Sequence, residues 1–285
     1  MKFSRHLAVI LGVWWGGSFG AYAQPVAMVT DLTGKAQIQG DAQKTNVSIL
    51  AEIDADRQIR LEPGATLVAI YLKSGHEYSV RGPALIQFKA EAPVALSGNA
   101  PQQRASTLTK DPQIRIKPMG VVQGALVMRS ARPGARLKLL SPNGAKILDL
   151  NPAFRWQGIE NVTTYQFELI DDSGKTLLET PVEGTALKLP PQILLKEGAT
   201  YTWEVSVRTA DGRKYSSAGD FGVAPADLRA RIESLRPRKN SQLSERVAFA
   251  AWLEQLELKE EARKYWKDLS AERPEDARLR SLATE

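Results

Sequence analysis

Few side chains in this sequence are equipped for chemistry. Beyond residue 23 the chain carries one histidine, His76, and it has no cysteine at all. A serine nucleophile needs a base, most often histidine, so any Ser-His chemistry would have to converge on His76. It sits beside Gly75 in the turn-like string Lys73-Ser74-Gly75-His76, and nothing in the sequence places a serine and a carboxylate around it. His76 therefore reads as a solvent-facing turn residue. Gly16-Gly17-Ser18-Phe19-Gly20 fits the nucleophile-elbow spacing, but it lies in an apolar leader with no strand before it and no helix after it. The spacing of Gly12, Gly16 and Gly20, which mimics a transmembrane dimer seam, is set aside for the same reason. Walker, Ser-x-x-Lys and dinucleotide glycine patterns do not occur.

Metal chemistry has equally little to work with. Zinc wants cysteines or several histidines, and calcium wants about six or more oxygens. Asp54-Ala55-Asp56 and Asp171-Asp172 are carboxylate pairs without the Asp-x-Asp-x-Asp-Gly loop, so turn and surface roles are expected for both. The basic runs Arg236-Pro237-Arg238-Lys239 and Arg129, Arg132, Arg136 and Lys138 stand at proline-bearing junctions and read as solvated linkers rather than nucleic-acid contacts. Asn46-Val47-Ser48 and Asn161-Val162-Thr163 match the glycosylation sequon, a pattern that recurs by chance. Trp156, Trp203, Trp252 and Trp266 are expected in cores, where large rings dominate the packing. Tyr265 and Trp266 point to different helical faces, so both can be buried only if their helix is contacted on two sides. No catalytic, metal-binding or cofactor-binding residue is assigned, and no cofactor is expected.

The elements that hold these residues follow from pattern. With 285 residues, 43% hydrophobic and 25% charged, the chain is in the globular range and long enough for two or three modest domains. Residues 1–23 have the form of a secretory signal: Lys2, Arg5 and His6, an apolar run from Leu7 to Trp15, and Ala21-Tyr22-Ala23 as the cleavage pattern. Cleavage after Ala23 would start the mature chain at Gln24 and lower the net charge from +6 to +4. A periplasmic or secreted protein without a transmembrane anchor is expected, stabilised by its cores since it has no disulfides.

From Val26 to Phe88, short β-like runs alternate with turns: Val26 to Thr30, Lys35 to Gln39, Val47 to Ile49, Gln58 to Leu61, Ala65 to Leu72, Glu77 to Val80 and Leu85 to Phe88. Residues 91–113, rich in Pro, Ser, Ala and Gln, read as a linker or long exposed loop. Ile114 to Lys117 and Val121 to Met128 are again β-like, as a last strand of the first unit or a bridge to the next. From Leu140 to Val223 three runs alternate apolar with polar residues, Thr164 to Ile170, Tyr201 to Val207 and Tyr215 to Val223, separated by turns at Asp171-Asp172-Ser173-Gly174 and Asp211-Gly212. After Ala224 the period becomes helical: Ala226 to Leu235, stopped by Pro237, then Ser241 to Leu258 and Lys259 to Arg273.

Three resemblances attach to these stretches. Val29 and Gly34, then Gly64-Ala65-Thr66-Leu67-Val68, Leu72-Lys73-Ser74-Gly75-His76-Glu77-Tyr78 and Arg81-Gly82-Pro83-Ala84 resemble the periplasmic FecR-like domain. That resemblance implies a small β fold that binds or senses. Pro142, Pro152 to Trp156, Tyr165 and the Leu195-x-x-Gly198-x-x-Tyr201 approach to a tyrosine corner resemble a fibronectin type III or immunoglobulin-like sandwich. Ala250, Leu253, Ala262, Trp266 and Pro274, within the 34 residues from Leu243 to Asp276, resemble one tetratricopeptide hairpin. Arg246 and Leu253 depart from the aromatic residues of that pattern.

The expected fold is mostly β: signal peptide 1–23, FecR-like β domain 24–90, linker and bridging strands 91–139, sandwich 140–224 and helical tail 225–285. A lone hairpin cannot bury its own faces, so the helices around Leu228 and Leu279 must cap it, or the tail must dock on a partner or brace the sandwich. The expected function is a non-enzymatic binding or scaffold protein of the bacterial cell envelope, with an envelope protein or cell-wall polymer as partner and no nucleic acid. Two other readings stand beside it: an accessory or sensory subunit of an envelope signalling system, implied by the FecR-like resemblance, and a cell-wall hydrolase. The sequence does not fix the oligomeric state.

Overall fold

The computed structural model describes residues 24–40, 45–106 and 137–284, with 108, 111, 114, 116 and 117 between them. The expected signal peptide, the run Val121 to Met128, and Arg129, Arg132 and Arg136 lie outside the described residues. The chain is mostly β, with helices at its C-terminal end.

The first unit is two antiparallel sheets packed face to face. One has the order β3-β1-β5-β6-β9, from β1 (Pro25–Thr33), β3 (Glu52–Asp54), β5 (Thr66–Tyr71), β6 (Glu77–Arg81) and β9 (Gln102–Arg104). The other has the order β2-β4-β7-β8, from β2 (Ala36–Gln39), β4 (Gln58–Leu61), β7 (Ala84–Phe88) and β8 (Pro93–Gly98). Period-two alternation sends Ala27, Val29, Leu67, Ala69 and Tyr71 from the first sheet to meet Ile59, Leu61, Ile86 and Phe88 from the second. Two glycines of this unit are required sterically. Gly34 has φ +75°, and a Cβ there would lie 2.8 Å from Ala65 Cα; a Cβ on Gly82 would lie 1.9 Å from the Glu62 carbonyl oxygen.

The expectation of a linker at 91–113 is corrected by β8, which pairs with β7, and by β9, which pairs with β6. Both are edge strands. Six of their nine residues are exposed and β8 opens with proline, which an edge tolerates, so they lack the apolar run of an interior strand. Val47 to Ile49 forms no strand: Ile49 and Leu50 make a turn, and only Asn46 bridges to Gln37. Ile114 and Ile116 are buried without strand pairing.

The second unit is a sandwich of β10 (Lys138–Ser141), β12 (Ala153–Gln157) and β15 (Ala186–Lys188) against a five-stranded sheet. That sheet comprises β11 (Ala145–Ile147), β17 (Lys214–Val223), β16 (Thr200–Arg208), β13 (Thr164–Asp171) and β14 (Thr176–Glu183), in that order. The three long runs read from alternation are β13, β16 and β17. Phe154, Trp156, Phe167, Trp203 and Phe221 interlock between the sheets, with ring centroids 4.9–6.4 Å apart. The Tyr201 hydroxyl accepts the Lys196 amide at 2.7 Å, as a tyrosine corner requires. The arrangement is compatible with an immunoglobulin- or fibronectin-like domain.

Helices α1 (Ala226–Leu235), α2 (Leu243–Gln255), α3 (Lys259–Glu272) and α4 (Ala277–Thr284) follow. Helix α2 is apolar almost all round, from Leu243 through Val247, Phe249 and Ala250 to Leu253, as a helix buried on both sides must be. One side packs on α3 through Ala262, Trp266 and Leu269, with α4 packed on α3 in turn through Leu279; the other lies on the outer face of the β1–β5 sheet against Met28, Ile70 and Leu72. Each of these three side chains contributes about 2 kcal/mol by leaving water. Leu108, Ile114 and Ile116 join the same core. Bracing of the sandwich, one of the two roles expected of the tail, is a minor part of the observed packing. The helices share an apolar core with the first unit, whereas the sandwich meets them mainly through polar contacts: the Lys146 amide donates to the Glu257 carbonyl at 2.8 Å, and Arg229 pairs with Glu197.

Candidate functional site

The first sheet has one face turned to the inner core, so its other face must be covered or solvated. Helix α2 covers part of it, and there the strands present Met28, Ile70 and Leu72. Beyond the edge of α2 the same face turns polar. Cross-strand register orders it in rows: Ile70, Glu77 and Arg104; then Val68, Ser79 and Gln102; then Thr66 and Arg81. The first row lies at the helices and the last is farthest from them. With Asp31 and Asn99, the residues of the outer rows line an open concavity of about 850 Å³.

Side-chain contacts fix its walls. Arg273, at the end of α3, reaches Asp31 at 3.5 Å, so the one acid lining the concavity already has a cationic partner. Asn99 Nδ2 donates to the Arg81 carbonyl at 3.0 Å, which holds the amide beside β6. Glu77 is 3% exposed and lies where the sheet passes under α2. Burial pushes its carboxyl up from the ordinary value, the Ser244 hydroxyl and Arg104 pull it back down, and Glu245 and Asp31 push it further up. Its Oε1 and the Ser244 hydroxyl are both buried, near enough for the hydroxyl to favour the charged carboxylate but without a well-formed hydrogen bond between them.

A second concavity, about 550 Å³, lies between the α1–α2 connection and α3. Its floor includes Pro237, Tyr265 and Ala271, and its rim Arg236, Arg238, Lys239 and Lys264. Much of this charge is matched internally. Arg236 bonds Glu233 at 2.6 Å, Lys264 bonds Glu261 at 2.5 Å, and Arg246 bonds Glu272 through both terminal nitrogens. Trp266 is fully buried, while Tyr265 is half-buried, edge-on to Phe249 at 5.2 Å, with its other side toward this groove. Of the two rings that could both be buried only with contacts on two sides of α3, Trp266 is buried and Tyr265 only half so.

The other residues singled out in the sequence do not assemble. His76 is exposed in its turn, where its amide donates to Ser74 Oγ at 3.3 Å. Asp54 and Asp56 serve surface contacts with Arg57 at 3.9 Å and Lys89 at 2.7 Å. Asp171 accepts from the Ser173 hydroxyl and from the amides of Ser173 and Lys175, bonds that tie its turn and hold its carboxyl below the usual range. Lys138 is exposed on β10. Among the described residues no group of three or more His, Cys, Asp or Glu could hold a metal ion, and no helix is long and apolar enough to cross a membrane. Sequence reasoning missed Arg81 and Arg104 as a pair, because strand register brings them to one face from positions 23 apart. Arg81 stood in a motif; Arg104 stood in a stretch taken for a linker.

No protein-family model and no curated protein matches the chain. Among solved structures it is similar to the crystal structure of CopC from Methylosinus trichosporium OB3b, with 19% sequence identity, coverage of 32% of this chain and 96% of that chain, and a TM-score of 0.25.

Proposed function

We propose that the protein is a non-enzymatic binding or scaffold protein of the bacterial cell envelope, acting in the periplasm, and that the first β unit is its binding module. The observation that carries this reading is the polar half of the β1–β5–β6–β9 face. A strand face that closed only against its own helices would be apolar throughout, yet here it is mainly apolar under α2, Glu77 apart, and beyond α2 it carries Thr66, Ser79, Arg81 and Gln102 with Val68 as its one large apolar side chain. The FecR-like wording of Gly64 to Val68 and Arg81 to Ala84 falls on the strands and turns that build this face, which supports a binding role. The leader-like residues 1–23 support export. The sandwich serves as a rigid spacer, and the tetratricopeptide-like helices cover the apolar part of the same sheet face and reach the concavity's edge through the Arg273–Asp31 pair.

Immobilised protein incubated with isolated envelope fractions tests the reading. Material should be retained by the native protein and lost on Ser79→Trp, which fills the concavity with an indole while leaving both cores intact. Retention unchanged by Ser79→Trp, or release of soluble fragments from cell-wall sacculi, would overturn it.

A further inference from the structure

The chemistry lining the concavity narrows what it can hold, and this step rests on the binding role just given. Thr66, Ser79, Asn99 and Gln102 offer hydroxyl and amide groups, which donate and accept in turn. Arg81 and Arg104 offer guanidinium forks suited to planar carboxylates. Asp31 is matched by Arg273, so the charge facing a ligand is positive. Four residues of strand separate the Arg81 row from the Arg104 row, which sets the two about 14 Å apart across adjacent strands. Uncharged hydrogen-bonding groups occupy the space between. No large apolar side chain other than Val68 lines the site, so it offers no pocket for the side chains by which peptides are read.

We propose that this face binds an extended, carboxylate-bearing polysaccharide, with Arg81 and Arg104 gripping acidic groups along the strand and Ser79, Asn99 and Gln102 bonding the hydroxyls between them. The ligand lies across β6 and β9, with the Arg273-paired Asp31 at the edge of the site. The two cationic anchors select acidic over neutral glycans, and binding weakens as salt screens them.

Purified protein titrated with polygalacturonate, with its carboxyl-reduced neutral counterpart and with polyaspartate tests this directly. The expected result is saturable binding of polygalacturonate, at least tenfold weaker binding of the neutral chain and of polyaspartate, and a loss of tenfold or more on Arg81→Gln or Arg104→Gln. Arg238→Gln and Lys239→Gln, on the helical groove, should leave binding unchanged. Arg81 is exposed, so its variant should keep the native melting temperature; Gln102→Ala gives an independent check that disturbs no charge. Equal affinity for the neutral chain, tighter binding of polyaspartate, or indifference to both arginine substitutions would overturn the proposal. Failure of polygalacturonate to bind, with envelope capture still sensitive to Ser79→Trp, would sink the ligand class and spare the binding role.

Discussion

Arg246 on α2 and Glu272 on α3 are joined by two parallel bonds, of 2.5 and 2.6 Å, that fasten the helical hairpin at one end. The partners are unequally placed. The arginine side chain is 12% exposed and the glutamate 45%, and the arginine Nε is buried without a partner among the described residues. Removing the acid therefore strands a nearly buried cation, whereas removing the arginine releases a carboxylate to water. Glu272→Ala should cost about 1–2 kcal/mol, and Arg246→Met, which keeps the volume and discards the charge, less than half of that. Urea unfolding of the two variants beside the native protein measures the difference; equal losses would count against it.

Tyr71 is fully buried between the two sheets of the first unit, stacked on Phe88 and edge-on to Tyr78, and its hydroxyl has no hydrogen-bond partner among the described residues. Burial pushes its ionisation upward, with Tyr78 adding to the effect. Keeping the ring and deleting the unsatisfied oxygen should stabilise the protein by about 1 kcal/mol. A higher midpoint for Tyr71→Phe in thermal unfolding is the expected result.

The Tyr201 hydroxyl is a contrasting case, because it satisfies the Lys196 amide in the turn that leads into β16. Tyr201→Phe leaves that amide without its partner and should cost about 1–2 kcal/mol. The loss should appear in hydrogen exchange as faster exchange of the Lys196 amide.

Glu77 gives stability a pH dependence of definite sign. Its carboxyl is raised in the folded protein from an ordinary value of 4.5, chiefly by burial. Between the unfolded and folded values the folded state holds the extra proton, so this group costs stability progressively as pH climbs through that window, and costs nothing below it. Glu77→Gln, which cannot ionise, should be more stable than the native protein at pH 7 and indistinguishable from it in acid. Melting temperatures of both proteins from pH 4 to pH 8 measure this; parallel curves would refute it.

How far the sequence foretold this molecule depended on where each residue lies. Strands β13, β16 and β17 could be read because their faces differ sharply, Trp203 and Val205 inward and Glu204 and Ser206 outward. The same rule failed for β8, β9 and β14, where edge positions relax the demand for apolar residues; Glu179, Pro181 and Glu183 look like loop chemistry yet pair with β13. Helices α1 to α3 were readable within about three residues because Pro237 and Pro274 mark boundaries that the backbone must respect. The candidate site was not readable at all. It is made by register between β5, β6 and β9 and by a helix more than 130 residues away that covers half of one face, and no local pattern encodes either relation.

The Ile49 amide donates to an Asp276 carboxylate oxygen at 3.4 Å, joining residues 227 apart in sequence. That closure dictates an order of events. The sandwich between them is built from contacts within fewer than 90 residues and can condense as soon as β17 is available, since shorter loops close at lower entropic cost. The first unit cannot: its outer face waits, with Met28, Ile70 and Leu72 bare, until α2 arrives. A chain delivered N-terminus first is consequently stickiest late in its own emergence, and shortening it from the far end would damage the unit at the near one.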